Sequence, residues 1–124
     1  MYISTVRVFV RDLVEAEDFY AAKLALPRIA GDPRFGYVVF QTGAVQFVVE
    51  SVPNDAPQDE QVLVGRFTGL SFSVESVEST YQELKRLGVH FTGAPERQAW
   101  GGILATLQDP AGNELQLVQL PSAA

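Results

Sequence analysis

Alternation of apolar and polar positions organises the chain into two similar halves. Val6-Arg7-Val8-Phe9-Val10-Arg11-Asp12-Leu13 alternates and then reaches a capping residue, and Leu70-Ser71-Phe72-Ser73-Val74-Glu75-Ser76-Val77 repeats that grammar. Period two marks a strand with one buried face, and Asp12 or Ser76 before a new apolar period marks a helix start. The first half therefore predicts a strand over about Ile3 to Val10, a helix over about Leu13 to Lys23, and two or three strands through Tyr37 to Gln41 and Val45 to Val52. Asp12 and Glu15 have capping-box spacing, while Ala16, Phe19, Tyr20 and Leu24 share one helical face. The second half predicts a strand Leu70 to Val74, a helix Val77 to Leu87 ended by Gly88, and strands near Val89 to Phe91, Ile103 to Leu107 and Glu114 to Leu120. Val77, Tyr81 and Leu84 form the inner face of that helix, and Asp109-Pro110-Ala111-Gly112 supplies the turn before the last strand. Pro53 to Gln61, acidic and without an apolar period, reads as a linker, and Ala30 to Gly36 as either a mobile lid or a long connector. Two strand-to-helix units in this order imply a duplicated module.

These motifs, taken in order, carry a resemblance. Arg11-Asp12-Leu13 followed by Phe19-Tyr20, together with Asp109-Pro110-Ala111-Gly112-Asn113-Glu114-Leu115-Gln116-Leu117, resembles the vicinal oxygen chelate superfamily of glyoxalase I, extradiol dioxygenases, fosfomycin resistance enzymes and bleomycin resistance proteins. The resemblance spans about Ile3 to Leu120. It implies an α+β fold of two tandem βαββ(β) modules that form a half-open, curled mixed sheet around a cavity, within one domain. The modules would cover about 3–53 and 66–120, joined by a linker over about 53–65. It also implies a homodimer, and it does not fix a function, since members of one fold do different chemistry.

Composition narrows the choices. The 124 residues are 47% hydrophobic, enough for a sizeable core in one domain but too little for either half to stand comfortably alone. There is no cysteine, which removes disulfides and thiolate sites, and His90 is the only histidine. Fifteen acidic against nine basic side chains give a formal charge of −6, which disfavours nucleic acid and anionic membranes as partners. No stretch reaches the length of a membrane helix and no secretory signal is evident, so the expected location is the cytoplasm.

If the apolar set of each strand packs on the helices, the opposite set faces the cavity. That set is Thr5, Arg7 and Phe9 in the first strand, Gln46 and Val48 in its module's last, Gly69, Ser71 and Ser73 in the second module, and Glu114, Gln116 and Val118 at the end. The resemblance places the superfamily's metal ligands at Thr5, Gln46, Gly69 and Gln116. These offer two amides, a hydroxyl and no side chain, whereas a divalent cation wants carboxylate or imidazole, so the expectation is neither metal nor other cofactor. His90 reads as a surface or strand-edge residue away from those positions. Ser71 and Ser73 lack nucleophile-elbow spacing and read as small polar wall positions. Arg7 and Glu114 read either as a mutual ion pair or solvated charges, or as a carboxylate binder and a general base. Trp100, in a glycine-flanked loop, reads either as a stacking wall shared with Phe9, Phe35 and Tyr37 or as a core or dimer anchor.

Three functions fit. The leading expectation is a metal-free binder of an antibiotic-like or aromatic small molecule, using Thr5, Arg7, Phe9, Tyr37, Gln46, Val48, Ser71, Ser73, Trp100, Glu114 and Gln116. The second is a glyoxalase-like lyase or isomerase, or a dioxygenase-related enzyme, with Glu114 as catalytic base or with Glu114, Gln46 and Gln116 around a rearranged metal. The third is a partner-binding or regulatory module on the same scaffold.

Overall fold

A computed structural model describes residues 1–122 as two compact units. One comprises Met1–Arg66 with Pro110–Asn113, the other Phe67–Asp109 with the strand that starts at Glu114. The fold class is α+β, with one mixed sheet in each unit.

In the first unit β1 (Thr5–Val10) leads into α1 (Leu13–Glu17), whose axis continues as a π-helical stretch over Asp18–Lys23. Then follow β2 (Arg28–Asp32), a 3₁₀ turn (Pro33–Phe35), β3 (Tyr37–Thr42), β4 (Val45–Ser51) and the short α2 (Gln58–Gln61). The sheet order is β1-β4-β3-β2, with β1 parallel to β4 and the remaining pairs antiparallel. The second unit repeats the plan. It holds β5 (Phe67–Ser73), α3 (Val77–Arg86), β6 (His90–Phe91), β7 (Glu96–Arg97), β8 (Ile103–Gln108) and β9 (Glu114–Gln119), ordered β5-β9-β8-β6, with β7 also on β8. β5 runs parallel to β9, as β1 does to β4. The sequence repeat is thus a structural one.

Both helix starts form as the spacing predicts. Asp12 Oδ1 accepts from the Glu15 N–H at 3.0 Å, and Ser76 Oγ from the Ser79 N–H at 3.1 Å. The apolar face of α1 and its extension covers the sheet through Leu13, Ala16, Phe19 and Tyr20, all buried. Tyr20 is fully enclosed, with ring centroids 4.9 Å from Phe19 and 5.1 Å from Phe47, and Phe40 completes an aromatic cluster over Val8, Val10, Val38 and Val49. Tilted and edge contacts of this kind add about 0.5–1.5 kcal/mol per pair to the burial itself. In the second unit Val77 and Leu84 of α3 face Ala105, Leu107, Leu115 and Leu117, an aliphatic core, while Tyr81 meets Phe91 edge-on at 4.7 Å.

Beyond the π-helical stretch, sequence and structure differ in four places. The segment read as lid or connector is half strand: Ala30, Gly31 and Asp32 pair with Val39, Val38 and Tyr37, so the segment is one arm of a hairpin. The linker contains a helical turn, fixed by Gln61 Nε2 donating to the carbonyls of Pro53, Asn54 and Ala56. β5 starts at Phe67 and its pairing slips before Ser71, since Phe67 pairs with Glu114 but Ser71 with Gln116, and Gly69 takes φ +73° in the resulting bulge. Finally, Asn113 does more than end a turn. Its side chain is buried, with Nδ2 donating to the Phe9 carbonyl at 2.8 Å and Oδ1 accepting from the Gly65 N–H at 2.9 Å, so the turn packs with the first unit.

Candidate functional site

Register fixes which side chains share the face of the first sheet opposite its helix. Thr5 pairs with Gln46 and Gln46 with Gln41; Arg7 with Val48 and Val48 with Val39; Phe9 with Glu50, Glu50 with Tyr37, and Tyr37 with Asp32. Paired residues project to the same side. Thr5, Arg7, Phe9, Gln46 and Val48 therefore lie together, as the alternation predicts, and Tyr37 lies with them. Glu50, Val39 and Gln41 join them unannounced. Continuing the period from Gln46 through Val48 reaches Glu50, so the signal was in the sequence.

Arg7 is committed within this face. Its Nε donates to Glu50 Oε1 at 2.8 Å and Nη2 to Oε2 at 3.2 Å, a two-pronged pair, and its guanidinium lies 5.2 Å from the centroid of Phe9. Of the alternatives open for Arg7, the one realised is an ion pair, and its partner is Glu50, two residues beyond Arg7's register partner Val48 on the adjacent parallel strand. Glu114 is instead within 3.3 Å of Gln108 Nε2.

Beside the pair opens a groove of about 710 Å³. Tyr37, Val39, Val48 and Glu50 line it from the sheet, and Pro33, Arg34 and Phe35 from the hairpin turn. The turn is held by Asp32 Oδ1, which accepts from the Arg34 N–H at 2.9 Å, while Arg34 Nη2 donates to Asp32 Oδ2 at 2.7 Å. Hydrogen bonds from Arg34 hold the Asp32 carboxyl below its ordinary pKa and raise that of the guanidinium. Phe35 and Tyr37 leave 76% and 38% of their surface open, so two aromatic rings face solvent beside the groove.

The corresponding face of the second sheet is chemically different. Ser71 pairs with Gln116 and Gln116 with Thr106; Ser73 with Val118 and Val118 with Leu104; Glu114 with Gln108 and Gln108 with His90. Gln116 Nε2 and Thr106 Oγ1 lie 3.2 Å apart at a recess of about 320 Å³ that also meets Thr92, Glu96 and Gln98. His90 is exposed at the sheet edge, as expected, in the row of Gln108 and Glu114. Trp100 caps the turn closed by Gly101 N–H to the Gln98 carbonyl at 2.9 Å. Its indole lies against Gly102 so closely that a Cβ there would overlap the ring. Just over half of the residue's surface stays exposed.

The residues at the metal-ligand positions do not fit a divalent cation. Thr5 and Gln46 are neighbours across β1 and β4, Gly69 lies in the bulge, and the Gln116 amide is engaged with Thr106. None of these donors is anionic or an imidazole, and among the described residues no three His, Cys, Asp or Glu side chains converge. Neutral amides and a hydroxyl do not compensate a divalent cation for its water shell. Among the described residues no helix is long and apolar enough to cross a membrane.

Residues 2–117 match the family described as Glyoxalase/Bleomycin resistance protein/Dioxygenase superfamily. The uncharacterized protein YraH of Bacillus subtilis (strain 168) is 25% identical over 127 residues, covering 97% of this chain and 99% of its own. The crystal structure of a member of the same superfamily from Sphaerobacter thermophilus DSM 20745 is 28% identical and superimposes with a TM-score of 0.78 over 96% of this chain and 97% of that one. TnmS3, an antibiotic binding protein from Streptomyces sp. CB03234, is 25% identical with a TM-score of 0.77, covering 98% and 97% of the two chains.

Proposed function

The chain belongs to the Glyoxalase/Bleomycin resistance protein/Dioxygenase superfamily, and on that premise we propose that it is a metal-free binder of an antibiotic-like or aromatic small molecule, seated on the open face of the first sheet. The observation that carries this reading is the groove of about 710 Å³ with Phe35 and Tyr37 open beside it. Its size suits a small organic molecule, and exposed rings over an apolar floor of Val39 and Val48 suit a planar one. The likeness to TnmS3, an antibiotic binding protein, supports the same reading. So does the neutral donor set at the metal-ligand positions, which turns the reading away from lyase or dioxygenase chemistry. In this reading the protein acts in the cytoplasm as a homodimer, and sedimentation of the purified protein decides the second point.

Chelator-treated protein tests the proposal directly. Neutral aromatic probes should raise its midpoint of unfolding by mass action, with no metal added, and Tyr37→Ala should abolish the shift. Binding that needs Mn²⁺, Co²⁺, Ni²⁺ or Zn²⁺, or that survives unchanged in Tyr37→Ala, would overturn it.

A further inference from the structure

Among the described residues that line the groove, two carry formal charge, Arg34 and Glu50. Both are already answered. Glu50 presents its two oxygens to Nε and Nη2 of Arg7, and Arg34 makes three side-chain contacts with the Asp32 carboxylate between 2.7 and 3.1 Å. The first pair is set on the sheet itself, with the Arg7 guanidinium over the Phe9 ring, and Glu50 is its more enclosed member, at 31% side-chain exposure against 55% for Arg7. A chain with a formal charge of −6 would otherwise present a lone carboxylate on the floor of this groove and favour cations.

We propose that the Arg7–Glu50 pair sets the charge selectivity of the groove, restricting it to uncharged planar aromatic ligands. The inference rests on the reading that this groove is the binding site. An anionic ligand would have to draw Arg7 away from Glu50, and a cationic one Glu50 away from Arg7. Either gives up charge-assisted hydrogen bonds to gain similar ones. A neutral ring needs no such exchange and covers Tyr37, Val39 and Val48 with the pair intact. Removing one partner leaves the other charge uncompensated beside the ligand, and the preference should then swing to the opposite sign.

Three probes of one shape separate the outcomes: naphthalene-2-carboxamide, 2-naphthoate and 2-naphthylmethylammonium, titrated by ligand-observed NMR at one ionic strength. The wild-type protein should bind the carboxamide about tenfold more tightly than either ion, because an ion seated on this floor gives up water with no unpaired counter-charge to replace it. Glu50→Gln should improve 2-naphthoate about tenfold and Arg7→Gln should improve the ammonium by a similar factor. Circular dichroism establishes that each variant is folded, and the wild-type series is decisive without them. A charged probe that binds the wild type as tightly as the carboxamide overturns the inference alone, as does an unchanged order in both folded variants. Failure of all three probes to bind the wild type overturns the reading of the groove and the inference with it.

Discussion

The two sheets share one topology and differ on their open faces. The first presents aromatic rings, an apolar floor and a closed Arg7–Glu50 pair; the second presents Ser71, Thr106, Gln108 and Gln116, with Glu114 and His90 in one row. Their buried faces differ too, an aromatic cluster around Tyr20 in one and leucines around Leu107 and Leu115 in the other. The shared plan survives because it needs only inward apolar alternation, two capped helices and a parallel outer pair. The outward positions carry no such demand, so one duplicated scaffold holds two unlike surfaces.

The difference between the cores gives the largest effect. Phe47→Ala removes a fully buried ring of the aromatic cluster and should cost about 3–5 kcal/mol of stability in denaturant unfolding, as deletion of a buried ring generally does. Leu117→Ala in the second core should cost about 2–5 kcal/mol. A near-neutral Phe47→Ala would mean that the first core is not organised around those rings.

Asn113 comes next, since its amide answers backbone groups of the first unit. Asn113→Ala leaves the Phe9 carbonyl and the Gly65 N–H without that partner, and should destabilise by about 1–3 kcal/mol. Hydrogen exchange should quicken at Gly65 while α3 stays as protected as before. The helix caps test the likeness of the halves, because Asp12→Ala and Ser76→Ala should each cost about 1 kcal/mol. Clearly unequal losses would show that one cap is supported by something the other lacks.

The smallest effect belongs to Asp32. Arg34 lowers its pKa from the ordinary 3.8, so the pair's contribution is full above that value and fades as pH falls through the lower native one. Asp32→Asn should therefore weaken the turn at neutral pH but not in strong acid, and added salt should shrink the difference because the Arg34 guanidinium is exposed. A stability difference that persists in strong acid would contradict this.

Much of this was legible in the sequence. Alternation placed Thr5, Arg7, Phe9, Gln46 and Val48 on one face, and Asp12 and Ser76 marked the helix starts, because both signals are local. What was hidden depends on neighbours distant in sequence. The partner of Arg7 follows from the parallel register of β1 on β4, which leaves no mark in either strand. His90 joins the row of Glu114 only through Gln108 on the strand between. The π-helical stretch at Asp18–Lys23 keeps Phe19 and Tyr20 inward with hydrogen bonds that span five residues in place of the four of the α-helix the pattern suggested. The bulge at Gly69 came from a pairing slip that a seemingly regular alternation concealed.

The central claim is that the open face of the first sheet binds an uncharged aromatic molecule through Tyr37 without a metal. Titration of chelator-treated wild-type protein and the Tyr37→Ala variant with naphthalene-2-carboxamide tests it most directly. The account predicts saturable binding by the wild type and its loss in the variant, with both proteins equally folded. Equal binding by the two, or none by either, would contradict it.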